Sequence, residues 1–465
     1  MIWSITRKEI RNNLLSFKFY ITFVLVIVLF LVAGFLFIGN YQGELSDYSR
    51  NKNKSLEKYH ESCKKLANLA IDKHLFYTRP KSIGFVSDGK EGSLPNLFYV
   101  KAVGQESLPI NKGRFNLFLP DFAHLNWLYL IGIVLSFVVL VISYDAITGE
   151  KEKGTLGLML SNSVSRHSIL LSKYLGILFT VLIPFIVGIL LNLIVVISSQ
   201  VVSLQSSDWI RILVVFIISL IYLSFFAFIG LFISSRTSSS VVSLVLSLLI
   251  WVFFVIIVPN SASIFSKQVY QVPKRSEVKK RADAAWWSTW QSYPREAWSY
   301  WGDPFDPRLK LRTEARNASD KAYSEVIKDY ERKLINQVSV AKNIAKISPL
   351  FVYESTAWSI LDVGFSRFLK LIRQIKRYEE NLLRFIKERD AEDEKSMHFL
   401  CDEWWVRESF SQQSIDPNLI PMFEEKPASL GEGIRGALWD IVILILFNIA
   451  FFVGAYVSFL RYDVR

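Results

Sequence analysis

Six apolar stretches, each long enough to cross a bilayer, constrain the fold of this chain of 465 residues more than any other feature. A transmembrane helix needs about 20 mostly apolar residues. The stretches that meet this length are 20–39, 126–144, 174–199, 210–233, 239–259 and 438–460. Hydrophobic residues make up 51% of the chain and are concentrated in these stretches. The sequence therefore predicts an all-α polytopic membrane protein with six transmembrane helices.

Lysine and arginine in the short connections predict which way the helices cross, because these residues accumulate on the cytoplasmic side. They occur in the N-terminal arm, in 145–173, in the turn 234–238 and in the tail, whereas the connection 200–209 has none. An even number of spans puts both termini on one side. We therefore expect a multi-pass protein of the cell (inner) membrane with a cytoplasmic arm, residues 1–19, and a cytoplasmic tail, residues 461–465.

Two long polar segments, 40–125 and 260–436, then face the exterior, since long segments are translocated largely regardless of their charge. Apolar residues recur at helical spacing in three regions of these segments, which are 44–76, a stretch from Arg308 onward, and Ser355 to Asp390. Each helix must bury its apolar stripe. We therefore expect the two segments to form one mainly helical extracytoplasmic domain. Glycine and proline between Phe76 and Leu119 indicate short strands or loops.

The two cysteines, Cys63 and Cys401, fall in different outer segments. A disulfide between them would staple the segments together, and an oxidising exterior would permit it. Two isolated buried thiols are the alternative. With only two cysteines, the chain has no disulfide framework and no cysteine-based zinc site.

A short run near residue 290 is unusually rich in tryptophan and contains Trp286, Trp287, Trp290 and Trp298. Tryptophan is concentrated at membrane interfaces, so an interfacial belt is one interpretation and a domain core is another. The third is a surface that contacts a lipid-like or peptide cargo, or a partner protein.

Several function classes lack their motifs. Although the net charge is +12, the chain has no basic block with a recognition motif, so no nucleic-acid partner is expected. The nearest phosphate-loop look-alike, Gly149 to Thr155, lacks the required lysine, and no HExxH or GxSxG motif occurs. We therefore expect no catalytic, metal-binding or cofactor-binding residues in this chain.

The predicted spans carry no ionisable residue near their centres. Ion-coupled transporters usually keep one there, so this absence argues against a secondary transporter. The polar residues inside the spans are weak ones such as Asn192, Ser219 and Asn448, and residues of this kind more often join helices than line a site.

The loop 145–173, between the second and third spans, is too polar to lie in lipid and too short to form a domain. It carries a dense mixture of charges: Asp145, Glu150, Lys151, Glu152, Lys153, Arg166 and Lys173. Mixed charge suits reversible docking in a fixed orientation. The loop is therefore placed to receive a push from a partner protein.

This loop resembles the first cytoplasmic loop of ABC-2 type permeases, the membrane subunits of one class of ABC exporter. The matching positions are Glu150, Gly154, Thr155, Leu156, Ser165, Arg166 and Lys173. The N-terminal Arg7, Lys8 and Glu9 resemble the interfacial helix of the same family, and 348–368 is similar to outer regions of members with an enlarged last outer loop. The two large outer segments depart from the minimal pattern of the family.

The resemblance implies a separate ABC ATPase subunit dimer, which would carry ATP and Mg and dock on 145–173. It also implies a second permease subunit, in a homodimer or a heterodimer, within the lipid bilayer. The residues expected to couple to the ATPase are Asp145, Glu150, Gly154, Thr155, Arg166 and Lys173.

Three functions remain open at this point. The first is an ATP-driven exporter or extractor of a hydrophobic or amphiphilic cargo. The second is mechanotransmission, in which the ATPase stroke reaches a periplasmic or envelope partner through the outer domain without cargo crossing. The third is a membrane sensor without an ATPase.

Overall fold

The computed structural model describes residues 2–105, 109, 125–161, 165–299 and 302–461. Within these residues the chain is mostly helical. The helices are α1 Ile2–Leu14, α2 Phe17–Ser62, α3 Leu66–Ile71, α4 Trp127–Tyr129, α5 Ser136–Ser143, α6 Thr148–Glu152, α7 Thr155–Ser161, α8 Arg166–Ser198, α9 Ser206–Arg236, α10 Ser240–Trp251, α11 Val258–Val269, α12 Arg275–Gln291, α13 Leu309–Ala345, α14 Pro349–Leu361, α15 Gly364–Ala391, α16 Val406–Ser409 and α17 Leu430–Leu460. Two π-helical segments, Leu130–Leu135 and Val252–Ile257, join α4 to α5 and α10 to α11.

In the described part of the chain, six helical segments are long and apolar enough to cross a membrane, and each overlaps one of the predicted stretches. They are Phe17–Ser62, Trp127–Glu152, Arg166–Ser198, Ser206–Arg236, Ser240–Val269 and Leu430–Leu460. The described residues add only one two-stranded sheet. The predicted fold class, an all-α polytopic membrane protein, is therefore confirmed.

The bundle has two distinct ends. The termini side carries α1, α6, α7, the turn between α9 and α10, and the end of α17. The domain side carries a second folded unit, built from the described residues between α2 and α4 and between α11 and α17. The termini side and the domain side are ends of the molecule, and neither term assigns a side of the membrane.

Weak polar residues join the helices inside the bundle. Asn192 of α8 accepts a hydrogen bond from Trp127 Nε1 at 2.8 Å and donates one to Phe30 O at 2.7 Å, which links three spans. Asn448 Nδ2 of α17 donates to Ile221 O of α9 at 3.1 Å. A buried amide is stabilised only when it is hydrogen-bonded, so these side chains serve helix packing, as the sequence indicated.

The prediction of one helix from Ser355 to Asp390 is wrong, because the chain breaks into α14 and α15. Asp362 and Gly364 have positive φ angles of 53° and 73°. At the break the chain passes close to Gly89, and a Cβ added to Gly364 would lie 2.7 Å from Gly89 O. A side chain at Gly89 or at Gly364 would push these two segments of the chain apart. The helical periodicity continues through this break and therefore concealed it.

The segment α14 packs into the transmembrane bundle. Tyr353 stacks on Tyr222 of α9 with 4.5 Å between ring centroids, and its hydroxyl is 2.8 Å from Ser219 Oγ. Six apolar residues of α14 and its C-terminal end belong to the same buried core as the spans. The core of the membrane bundle therefore includes a helix that the sequence had placed in the outer domain.

The unit on the domain side has its own core, formed by the end of α2, α3, the sheet, α15 and residues 400–420. The predicted helix 44–76 is not separate, since α2 runs unbroken for 46 residues from Phe17 to Ser62. At 1.5 Å per residue this helix is roughly 69 Å long. The sheet pairs His74–Tyr77 with Leu97–Val100 antiparallel, which confirms short strands beyond Phe76; residues 106–108 and 110–124 lie outside the described residues.

Both cysteines lie buried in this second core as free thiols. Cys63 Sγ donates to Tyr59 O at 3.0 Å. Burial raises the pKa of Cys63 and raises that of Cys401 to about 12. The structure therefore has two isolated buried thiols in place of the disulfide, the other alternative left open by the sequence.

We expect both thiols to resist alkylation in the folded protein at pH 7.5, because only the exposed thiolate reacts quickly. After denaturation without reductant, N-ethylmaleimide should modify both, and intact-mass measurement should show two adducts. A denatured sample that gains adducts only after reduction would establish the disulfide.

Candidate functional site

Helix α1 packs tightly along the first turns of α8. Gly176 permits this approach, because an added Cβ would lie 2.7 Å from Glu9 Cβ. Farther along, Asn13 Nδ2 donates to Thr180 Oγ1 at 3.4 Å. The N-terminal helix is therefore fixed against the third span.

Lys173 lies at the centre of an ion cluster on the termini side. Its ammonium is 3.2 Å from Glu9 Oε1 and 2.8 Å from Glu150 Oε1. The Lys173 side chain is only 1% exposed, while those of Glu9 and Glu150 are 16% and 20% exposed. These three residues, called here the Lys173 triad, belong to α8, α1 and α6. The triad therefore joins the N-terminal helix, the charged loop and the third span at one buried point.

The same loop is hydrogen-bonded to the end of α9. Ser234 Oγ accepts from the backbone N–H groups of Ile147 and Thr148, each at 3.0 Å. Lys151 Nζ donates to Ser235 O at 2.6 Å and to Thr237 O at 2.9 Å. Helix α6 therefore receives support from the fourth span as well as from the third.

The start of α10 is held by the loop too. Glu152 accepts hydrogen bonds from Ser240, at 2.7 Å from the backbone N–H and 2.6 Å from the hydroxyl. Ser243 Oγ donates to Tyr144 O at 2.6 Å. The turn between α9 and α10 is thus bound to α6 from both of its ends.

Two further charged residues of the loop anchor other helices. Asp145 forms an ion pair with Lys18 of α2 at 2.6 Å. Arg166 donates to Phe459 O at 3.2 Å and to Leu460 O at 2.6 Å, and so caps the end of α17. A cation at a helix C-terminus is stabilised by the carbonyl groups that lack a partner there.

Among the described residues of the loop, an exposed surface lies at α6 and α7. Glu152, Lys153, Gly154, Thr155 and Leu158 form this exposed surface, and His167 is exposed as well. Gly154 has a φ of 71° and an added Cβ would meet nothing within 4 Å. Its left-handed backbone allows the chain to reverse between α6 and α7.

The residues singled out in the sequence thus fall into three groups. Glu9, Glu150 and Lys173 meet in the triad, and Asp145 and Arg166 anchor separate helices. The third group is exposed to solvent. It consists of Gly154 and Thr155 on the exposed surface of the loop and of Arg7 and Lys8 on α1. The turn between α9 and α10 was predicted from the sequence, but its contacts with α6 were not. A run of serines around Arg236 carries no indication of a contact distant in sequence.

The four tryptophans divide by burial. Trp286 and Trp290 are buried and stacked, with 5.4 Å between ring centroids, against α13. Trp286 Nε1 donates to Asp320 Oδ1 at 2.7 Å. Trp287 and Trp298 are exposed, so they alone of the four present indole surface to a cargo or partner.

Replacing Lys173 by Met should lower the free energy of unfolding by up to about 3–5 kcal/mol, because the partly buried carboxylates of Glu9 and Glu150 lose their counter-charge. Unfolding in a denaturing-detergent titration would measure the loss. Lys8→Met, at an exposed position on α1, is the matched control and should change stability little.

The triple variant Glu9→Gln, Glu150→Gln, Lys173→Met removes all three charges together. It should recover most of the stability lost in Lys173→Met, because no uncompensated buried charge remains. Equal losses in the single and triple variants would contradict the electrostatic account of the triad.

A family model described as "ABC-2 family transporter protein" matches residues 3–464 of the chain. No curated protein matches the chain significantly. The family match runs from α1 to the end of α17 and therefore includes the Lys173 triad, the exposed surface of the loop and the unit on the domain side.

Proposed function

Because the chain belongs to the ABC-2 family of transporter proteins, we propose that it is the permease subunit of an ATP-driven ABC transporter that exports or extracts a hydrophobic or amphiphilic cargo. Membership of this family implies an ABC ATPase subunit as partner, and permeases of this kind are generally not catalytic themselves. The observation that carries the proposal is the Lys173 triad, which ties the charged loop to two other helices at a buried point.

The ATPase would dock on the exposed surface of 152–158, on the cytoplasmic side, and would carry the ATP and Mg. A push on this surface reaches α6 directly. The triad then passes it to α1 and α8, and the bonds of Ser234 and Lys151 pass it to α9. The movement would therefore involve four helices, α6, α1, α8 and α9.

A second permease subunit would lie against apolar faces that the single chain leaves uncovered. In Ser240–Val269 only 22% of the most apolar window is buried, and in Leu430–Leu460 only 17%. Lipid and a second copy, or a related subunit, are the occupants expected for such faces in a bilayer. The lysine and arginine of the short connections support the orientation proposed here, with the termini in the cytoplasm and the unit on the domain side outside the cell (inner) membrane.

Mechanotransmission is the second candidate, and the continuous helix α2 favours it. This helix begins beside the charged loop, where Lys18 pairs with Asp145, and ends in the core on the domain side. Near its end, the Tyr59 hydroxyl is 3.3 Å from that of Tyr378 on α15. Such a helix can transmit displacement across the membrane to an envelope partner. Membership of a transporter family disfavours the third alternative, a sensor without an ATPase.

Glu150→Lys should abolish coupling, because it places a second cation against buried Lys173. The expected result is a complex that still assembles in the membrane but whose ATP hydrolysis no longer responds to cargo. Glu57→Lys, the same charge reversal at an exposed position of α2, should leave the response intact. A cargo response in Glu150→Lys equal to that of the unmodified protein would refute the coupling role.

A flexible insertion in α2 separates the two candidates. Five Gly and Ser residues inserted after Gly43 would interrupt the helix between membrane and domain, and the same insertion after Gly302 is the control. Transport of cargo into the medium that survives the first insertion supports the exporter. Loss of the cellular phenotype, with ATP hydrolysis retained and only after the first insertion, supports mechanotransmission.

A further inference from the structure

A deep cleft opens on the domain side, directly above the bundle. It has a volume of about 920 Å³. One wall is the part of α2 beyond the predicted span, and the floor contains the first residues of α9 and of α17, including Ser207 and Ser429. The cleft therefore lies at the level where two spans begin. A cavity of this size is in the range of ligand sites.

The wall formed by α2 presents hydrogen-bond donors. Tyr41, Tyr48, Lys52, Ser55 and Tyr59 line the cleft, and their spacing places them on one face of the helix. Tyr41 is 95% buried, at 5% relative exposure, and its hydroxyl makes no hydrogen bond to any residue that the structure describes. Because Tyr41 lines the cleft and its hydroxyl has no partner among the described residues, this hydroxyl can donate to a ligand atom there.

Two cations at the cleft are not neutralised. Among the described residues, neither Lys52 nor Arg79 forms an ion pair, and the charges of Arg79 and Glu44 both act on the Tyr41 hydroxyl. Lys81 pairs with Asp362, and Arg367 pairs with Glu425 and Glu91. Asp208 caps α9 but has no ion pair among the described residues.

Arg211 and Glu424 complete the charges of the cleft. Arg211 is buried and donates to two backbone carbonyls, those of Ile360 and Ala428, so its positive charge lacks a carboxylate. Glu424 is exposed. Among the described lining residues, three cations without an ion pair therefore face two carboxylates without one, Asp208 and Glu424, and the N-termini of α9 and α17 add partial positive charge. The balance favours an anion.

Apolar side chains also line the cleft, namely Leu75, Phe76, Leu371, Ile375 and Met422. A site that offers donors and cations together with aliphatic and aromatic side chains fits a ligand with a charged head and an apolar part. A free inorganic anion would leave these apolar side chains facing water.

We propose that this cleft binds an anionic amphiphile with a phosphate head group and at least one acyl chain. The phosphate would accept hydrogen bonds from Tyr41, Lys52 and Arg79, and the chain would lie against Phe76 and Met422. The interpretation of this ligand as the cargo rests on the proposed function, because it identifies the class of cargo that the permease would carry. The binding itself requires neither the ATPase nor movement of the charged loop.

The test is a native mass-spectrometry titration of the detergent-solubilised full chain with dioleoyl phosphatidylglycerol, dioleoyl phosphatidylcholine and inorganic phosphate. We expect phosphatidylglycerol to bind about tenfold more tightly than phosphatidylcholine, and inorganic phosphate to bind weakly. The double variant Lys52→Gln, Arg79→Gln should abolish this selectivity. Lys54→Gln, Lys58→Gln, on the same helix but outside the cleft, should retain it.

A third variant tests the apolar side chains of the cleft. Met422→Gln should weaken phosphatidylglycerol binding several-fold without changing the preference for an anionic head group. Equal affinity for the two lipids, or selectivity that survives Lys52→Gln, Arg79→Gln, would overturn the proposal. Tight binding of inorganic phosphate alone would identify an anion site and overturn the amphiphile. Because no ATP is present, a failed coupling experiment leaves this result unaffected.

Discussion

The contact between Lys173 and its two carboxylates is the interaction on which the termini side of the molecule depends. A buried ammonium loses its hydration, and only close counter-charges make that loss tolerable. Glu9 and Glu150 supply them from two different helices. The folded protein therefore cannot separate α1, α6 and α8 without exposing or orphaning a charge. This makes a surface loop behave as part of the membrane bundle.

The rest of the architecture extends this connection toward the domain side. The loop also holds α2 through Asp145, α17 through Arg166 and the turn between α9 and α10 through Ser234 and Lys151. In turn, α9 packs against α14 and α17, and α2 continues unbroken into the second core. Displacement at the loop has two physical routes outward, through the packed bundle and along a single long helix. The cleft lies between these two routes.

Much of this could be predicted from the sequence, because the dominant signals are local. Apolar length gave the six spans, and the motif around Glu150 and Gly154 indicated the family that the comparison then established. The triad residues were each selected in advance, but their meeting was not, since Glu9 and Lys173 are 164 positions apart. Only packing brings such residues together.

The incorrect predictions also concern features that depend on contacts between residues distant in sequence. Helical periodicity persists across Asp362 and Gly364, so it could not reveal a break that depends on a close approach to Gly89. Likewise, α14 has the composition of either a domain helix or a buried one, and its position against Tyr222 and Ser219 is decided by tertiary contacts. The tryptophan-rich run from Trp286 to Trp298 shows that neighbouring residues of one type can have different roles. Two of the four tryptophans singled out in the sequence are core residues, and two are exposed.

The central claim is that α6 moves as one body with α1 when the ATPase acts. Pulsed electron–electron double resonance on the assembled complex tests it most directly. Spin labels are attached to cysteines introduced at exposed positions, and the native thiols do not interfere because they are buried. With labels at Lys8 and Lys153, the distance should stay the same when a non-hydrolysable ATP analogue binds. With labels at Lys153 and at Lys280 of α12, a helix that belongs to neither route, it should change. A change in the first distance with the second constant would contradict the account.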